Sequence, residues 1–188
     1  MRIAGGEWRG RNLRVPQGDA VRPTQDRVRE ALFSMLQFEL EGANFLDLFA
    51  GSGAVGLEAL SRGAARATFV ELSPRHVACV NANIALVKAE ARASVVRADV
   101  YTWLASAAPM AFEVAYADPP YELGAEQGYA RMLALLAERG VVKEGGFFIA
   151  EMKSHQSPDA SPLWELCRDR TYGHTRLAVY RRLHVGIA

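Results

Sequence analysis

From Phe45 to Glu151 the chain alternates short apolar runs with segments at helical spacing, and no other feature restricts the fold as much. Strands are predicted over 45–49, 67–71, 93–98, 112–117 and 147–151. Helices are predicted between them over 54–62, 74–87, 101–106 and 125–138, with Ser73 capping the second and Gly63 and Gly140 as stops. Parallel strands need long crossovers, and helices supply them, so this order predicts an α/β fold: a parallel sheet covered on both faces. Upstream, Val28, Ala31, Leu32, Met35, Leu36 and Leu40 also fall at helical spacing, with Thr24 as the predicted N-cap and Gly42 as the stop. Residues 1–22 are short alternating pieces between glycines, which predicts a hairpin. Past Glu151 a polar loop, His155 to Pro162, leads to two strands over 164–170 and 175–182, joined through Tyr172-Gly173-His174. The expected organisation is therefore a basic N-terminal hairpin extension, 1–22, on a main domain, 23–188.

Length and composition fit that reading. The 188 residues are half hydrophobic, which suits one domain with a full core, and no apolar run reaches the length of a membrane span. Met1-Arg2-Ile3-Ala4-Gly5-Gly6 lacks an apolar signal segment, so a cytoplasmic protein is expected. Cys79 and Cys167 have no metal-type spacing and are expected to be buried small hydrophobes. The net charge of +1 hides an uneven distribution: residues 1–29 and 168–182 each carry +4, and the stretch between them carries −7. Nineteen of the 22 basic residues are Arg, whose forked guanidinium matches phosphate and stacks on bases. Basic ends on an acidic body point to a nucleic-acid partner. Nothing marks a dimer seam, and a monomer is expected.

The loop after the first strand of the alternation, Gly51-Ser52-Gly53-Ala54-Val55-Gly56, has the glycine spacing of a dinucleotide site, with Glu71 at the end of the next strand. A nicotinamide or flavin enzyme is thus one reading. Asp47 disfavours it, because a carboxylate just before the loop repels a pyrophosphate. The same carboxylate could receive the ammonium of a methionine moiety. Glu71 can accept both hydroxyls of a ribose, and Asp99, after the third strand, is placed to accept from an adenine amino group with Val100 beside the ring. Acidic strand ends in succession suit S-adenosylmethionine, which carries a sulfonium and an ammonium but no phosphate. Phe49, Gly51, Ser52, Gly53 and Leu72 complete this candidate cofactor site.

A second constellation, Asp118-Pro119-Pro120-Tyr121, follows the strand 112–117. An exocyclic amino group of a nucleobase is a poor nucleophile, because its lone pair is delocalised into the ring. A carboxylate accepting one N–H and a backbone carbonyl accepting the other pull the nitrogen toward tetrahedral geometry and stabilise the positive charge that develops on it. Asp118 and the Pro119 carbonyl are the candidates, Pro120 stiffens the loop, and Tyr121 offers a face on which the base stacks. A base in a duplex must be flipped to reach such a site. No metal is required, and the four His show no ligand spacing.

With these motifs in order, the chain resembles the bacterial methyltransferases that modify the exocyclic amino group of one guanine in 16S ribosomal RNA. The blocks that carry the resemblance are Arg2-Ile3-Ala4-Gly5-Gly6-Glu7-Trp8-Arg9-Gly10-Arg11, Arg22-Pro23-Thr24-Gln25-Asp26-Arg27-Val28-Arg29-Glu30-Ala31-Leu32-Phe33 and the stretch from Asp47 to Gly63. The resemblance implies a class I methyltransferase fold, a seven-stranded and mostly parallel Rossmann-like sheet with one reversed strand. It implies S-adenosylmethionine as cofactor and 16S rRNA, in the small subunit or its assembly intermediate, as partner. It also implies that Arg22, Thr24 and Arg27 border the active cleft. Family members often end the tetrapeptide in Phe where this chain has Tyr121. Adenine-modifying DNA enzymes share the Asp-Pro-Pro-Tyr spelling, and glutamine-modifying protein methyltransferases usually have Asn in place of its Asp. A DNA adenine or cytosine amino-methyltransferase and a non-catalytic RNA-binding assembly factor are the rival readings. On the leading reading Arg2, Arg9, Arg11 and Arg14 track the RNA backbone, and Trp8 either stacks on a base or anchors the hairpin.

Overall fold

Strand β1 (Asn44–Leu48) is the first predicted apolar run, displaced by one residue, and its side chains are buried from Phe45 onward. Continuous rather than alternating burial is the mark of a parallel strand covered on both faces. The computed structural model describes residues 1–16, 23–109, 112–120 and 129–184. They fall into two compact units, Met1–Val100 and Tyr101–Ala188.

In the first unit β1 pairs in parallel with β2 (Arg66–Glu71), and β2 with β3 (Ala93–Arg97). Asp47 stands opposite Phe69, and Glu71 opposite Arg97. Parallel pairing places the carboxyl ends of the three strands at the same edge of this sheet. Helix α2 (Ala54–Ser61) connects β1 to β2, and α3 (Pro74–Val87) connects β2 to β3. The predicted cap of α3 is present, with the backbone N–H of His76 donating to Ser73 Oγ.

Helix α1 departs from its predicted bounds, spanning Pro23–Met35. It opens on Pro23, whose missing N–H costs nothing in the first turn, so Thr24 lies inside the helix and is not its cap. It stops well before Gly42, and Leu36 and Leu40, which continue the apolar spacing, are buried from the turns that follow it.

The N-terminal segment packs on the end of α2. Arg2 and Asn12 form an antiparallel bridge, and Ile3, Trp8 and Leu13 are buried. Ser61 Oγ donates to the Gly5 carbonyl and accepts from the Trp8 N–H, and the Ser61 carbonyl accepts from the Glu7 N–H. Gly6 has φ +77°, and a Cβ there would stand 1.7 Å from the Ser61 carbonyl oxygen, so only glycine allows this approach. Beneath the contact sits Glu58, which has no exposed surface. Its two oxygens accept from Arg29 Nε at 2.7 Å and from Arg62 Nη2 at 2.7 Å. Arg29 also donates to the Arg2 carbonyl and to Asp26.

In the second unit β4 (Phe112–Ala117) pairs in parallel with β5 (Val142–Lys153). Strand β7 (Thr175–Arg182) runs antiparallel between β5 and β6 (Trp164–Tyr172). Helices α4 (Val100–Ser106) and α5 (Ala130–Glu138) flank β4 in the sequence. The first four residues of the helix predicted over 125–138 lie outside the described residues. Strand β5 begins five residues earlier than predicted. Its register against β4 shifts between Phe112 and Val114, and the extra residues around Gly145 and Gly146 broke the apolar pattern in the sequence. Phe148 centres the core of this unit, with the rings of Tyr129, Trp164 and Tyr180 5.9–6.1 Å away.

The cysteines correct one expectation. Cys79 is half-buried and Cys167 is exposed, because β6 is an edge strand with most of its side chains in solvent. Among the described residues no helix is long and apolar enough to cross a membrane.

Glu58→Ala should be among the most destabilising single changes in the first unit. It strands the Arg29 guanidinium, itself 5% exposed, without its carboxylate, a loss of about 3–5 kcal/mol. Urea unfolding checks this. A loss below about 1 kcal/mol would show that the Asp26 and Arg2 contacts suffice for Arg29.

Candidate active site

The cofactor motif lies in the first unit, where β1 turns into α2. Phe49 follows the strand with φ 61°, a left-handed conformation that is strained for a large side chain and is the sort of backbone found at functional sites. Asp47 is 1% exposed, and its Oδ2 accepts from the Gly56 N–H at 2.8 Å. It therefore holds the loop from within, and its carboxylate faces the loop's own backbone rather than an open site. Burial pushes its pKa up to about 8, against the lowering pull of the Gly56 N–H and with a further push from the charge of Glu71. Gly56 is required by close packing: a Cβ would lie 2.4 Å from the Phe69 ring and 3.1 Å from Asp47 Oδ2.

Glu71 ends β2 nearly buried. Its Oε2 accepts from the Gly51 N–H at 2.9 Å, and its Oε1 accepts from the Ser73 N–H at 2.8 Å. Each oxygen keeps a second lone pair, so both can still accept from a vicinal diol. Leu72, next along, is 60% exposed, an unusual state for leucine and suited to covering an aromatic ring. Asp99 directly precedes α4 and is half-buried, while Val100 is part of the core at 2% exposure.

Sequence reasoning missed Asn83. This fully buried side chain on α3 donates from Nδ2 to the Ser52 carbonyl at 2.9 Å and to the Arg14 carbonyl at 3.0 Å, and its Oδ1 accepts from the Arg14 N–H at 2.8 Å. It ties the cofactor loop to the N-terminal segment. A polar residue at a core position of the α3 pattern was the available signal.

The second motif lies in the second unit, at the carboxyl end of β4. Asp118 is exposed, Pro119 is buried and Pro120 is exposed; Tyr121 lies outside the described residues. Asp118 and Pro119 line a pocket together with Tyr129, Glu151, Lys153 and His174. The Tyr129 hydroxyl donates to the Glu151 carbonyl and lies 3.4 Å from the Ala117 carbonyl, so it braces the ends of two adjacent strands. Burial holds its pKa well above the ordinary tyrosine value, reinforced by the nearby charges of Asp118 and Glu151, so it stays a donor. The Tyr116 hydroxyl donates to Glu151 Oε2 at 2.6 Å. The pKa of Glu151 is raised by burial, with the Tyr116 hydroxyl pulling the other way.

Of the arginines assigned to RNA, Arg2, Arg9, Arg11, Arg14 and Arg27 are exposed. Trp8 takes the anchoring alternative: it is 9% exposed, with the Arg92 guanidinium 4.9 Å over its ring. Arg22 and the side chain of Thr24 lie outside the described residues.

Parallel strands with acidic carboxyl ends, a glycine-bearing loop between β1 and α2, and a closing antiparallel pair define the class I methyltransferase fold. The chain superimposes on yhhF of Escherichia coli with a TM-score of 0.84 and 35% identity, covering 98% of this chain and 99% of that one. SMU.776, solved with SAH, shares the fold at 17% identity and a TM-score of 0.70, covering 86% of this chain and 50% of that one. The family described as "Conserved hypothetical protein 95" matches residues 1–181. Ribosomal RNA small subunit methyltransferase D of Escherichia coli (strain K12) is 37% identical over 183 residues, 97% of this chain and 90% of that protein. The chain belongs to this family of small-subunit rRNA methyltransferases.

The buried Asp47 gives a pH signature. Between its unfolded value near 3.8 and its folded value near 8, the folded state holds a proton that the unfolded state has lost. Its contribution to stability therefore falls as pH rises through that window, by at most about 1.4 kcal/mol per pH unit. Asp47→Asn keeps an acceptor for Gly56 and abolishes this titration. Denaturant midpoints should show the variant gaining on the parent from about pH 4 to about pH 8. Parallel profiles would show that Asp47 is ionised throughout.

Proposed function

We propose that this protein is a cytoplasmic, S-adenosylmethionine-dependent enzyme that methylates the exocyclic amino nitrogen of one guanine in 16S rRNA of the small ribosomal subunit. Its family membership supports methylation of rRNA. The observation that carries the chemistry is Asp118-Pro119-Pro120 at the carboxyl end of β4, with Asp118 and Pro119 lining a pocket.

Bound S-adenosylmethionine supplies the methyl group and leaves as S-adenosylhomocysteine. Glu71 accepts the ribose hydroxyls with the lone pairs its backbone partners leave, and Leu72 and Asp99 serve the adenine. Asp47 acts indirectly, by keeping the loop in shape. At the acceptor, the Asp118 carboxylate and the Pro119 carbonyl take the two amino hydrogens and direct the nitrogen lone pair at the methyl carbon. As the new N–C bond forms, Asp118 stabilises the growing positive charge and receives the proton that the nitrogen sheds. Tyr121 stacks on the base, a contact worth roughly 1–3 kcal/mol. Arg2, Arg9, Arg11, Arg14, Arg22 and Arg27 hold the RNA through its phosphates, while the pocket selects the base.

Tritiated S-adenosylmethionine supplied with small subunits lacking the modification, naked rRNA and plasmid DNA in parallel tests this. Label is expected in N-methylguanosine from the subunits. Label in DNA adenine, or no label despite cofactor binding, would remove the assignment. Asp118→Ala should lower turnover by about 10²–10³-fold or more while leaving the affinity for cofactor nearly unchanged. Normal turnover in that variant would sink the mechanism.

A further inference from the structure

Strands β4 and β5 are in register at Ala117 and Ala150, so the next residues along the two chains are Asp118 and Glu151. Adjacent strands lie about 4.8 Å apart, so the two acids leave neighbouring strand ends. Both line the same pocket. The Tyr129 hydroxyl reaches the carbonyls of Ala117 and Glu151, which fixes the two strand ends relative to each other. The Tyr116 hydroxyl takes Oε2 of Glu151, orienting the carboxylate and leaving Oε1 as the acceptor for a ligand.

We propose that Glu151 is the residue that chooses guanine: its Oε1 accepts the N1–H of the base whose amino group is held by Asp118 and the Pro119 carbonyl. The inference rests on the function proposed above. Its chemical basis is the atom next to the reacting amino group. In guanine the 2-amino group adjoins N1–H, so neighbouring donors meet neighbouring carboxylates. In adenine the 6-amino group adjoins the N1 lone pair, and in cytosine the 4-amino group adjoins the N3 lone pair. Either would set a lone pair against the Glu151 carboxylate. The Asp-Pro-Pro-Tyr motif is indifferent to this distinction, and a second carboxylate beside it supplies it. A site built around a buried hydrogen-bonding group rejects a mismatched partner by roughly 10²-fold or more.

The test uses small subunits carrying the mapped target guanine, or adenine at the same position, with wild-type protein, Glu151→Gln and Tyr116→Phe. Wild type should favour guanine by at least about 10²-fold in kcat/KM. A side-chain amide in place of the carboxylate can donate to the adenine N1, so Glu151→Gln should lower the guanine-to-adenine ratio at least ten-fold with cofactor affinity unchanged. Tyr116→Phe keeps the carboxylate but frees its orientation, and should lower the ratio by a smaller factor. An unchanged ratio in both variants, whatever their absolute rates, overturns the proposal and leaves Glu151 a structural partner of Tyr116. If Glu151→Gln does not fold, the ratio in Tyr116→Phe decides. Wild type that methylates adenine as well as guanine refutes the inference alone. Wild type that labels neither refutes the function on which it rests.

Discussion

The first unit is organised around a carboxylate that has no access to water. Glu58 is fully buried on α2, and two arginines from different parts of the chain neutralise it. Arg29 brings α1, and through its bond to the Arg2 carbonyl it brings the N-terminus as well. Arg62 lies 5.1 Å over the Phe33 ring, which adds a second contact between α1 and α2. A buried ion pair is weak evidence for stability in itself, since apolar residues could fill the same space. What it supplies is an arrangement: a charge this deep tolerates few alternative partners. The N-terminal segment, too short for a core of its own, gains a fixed position from it and from Ser61.

That fixed position reaches the glycine-bearing loop between β1 and α2. Asn83 bonds Ser52 on one side and Arg14 on the other, so the segment bearing the exposed arginines and the glycine-bearing loop after β1 share one buried amide. Asp47 and Glu71 perform the same kind of work, each accepting from backbone N–H groups of the loop or its surroundings. The loop's shape is thus held through its own backbone N–H groups.

Much of this was legible in the sequence. Strand β4 and helix α3 match their predicted bounds because a single charged residue, Glu113, does not obscure the apolar run of β4 and Ser73 marks the start of α3. The early half of β5 was not legible, because two glycines and a register shift replace the apolar pattern there. The start of α1 was obscured by Thr24, a good cap beside a proline that is an equally good first residue. Site residues named for their type were found at strand ends, since parallel topology alone puts them there. Their partners were not foreseeable. Nothing local distinguishes Asp47, turned inward to Gly56, from a carboxylate turned outward, and Asn83 stands 31 residues from the loop it supports.

The carboxylates at the strand ends show why spacing alone could not assign roles. Asp47 and Glu71 are both carboxylates toward the carboxyl ends of adjacent strands, two residues apart in register, yet Asp47 lies inside the loop while Glu71 is bound at its margin with lone pairs to spare. Asp118 and Glu151 repeat the contrast in the second unit: one is exposed, the other partly buried and held by a tyrosine. In each pair the more buried acid is the one whose surroundings resist its charge. Topology delivers acids to the strand ends. Burial and the donors that reach each acid then set how firmly it is held and how readily it keeps its charge.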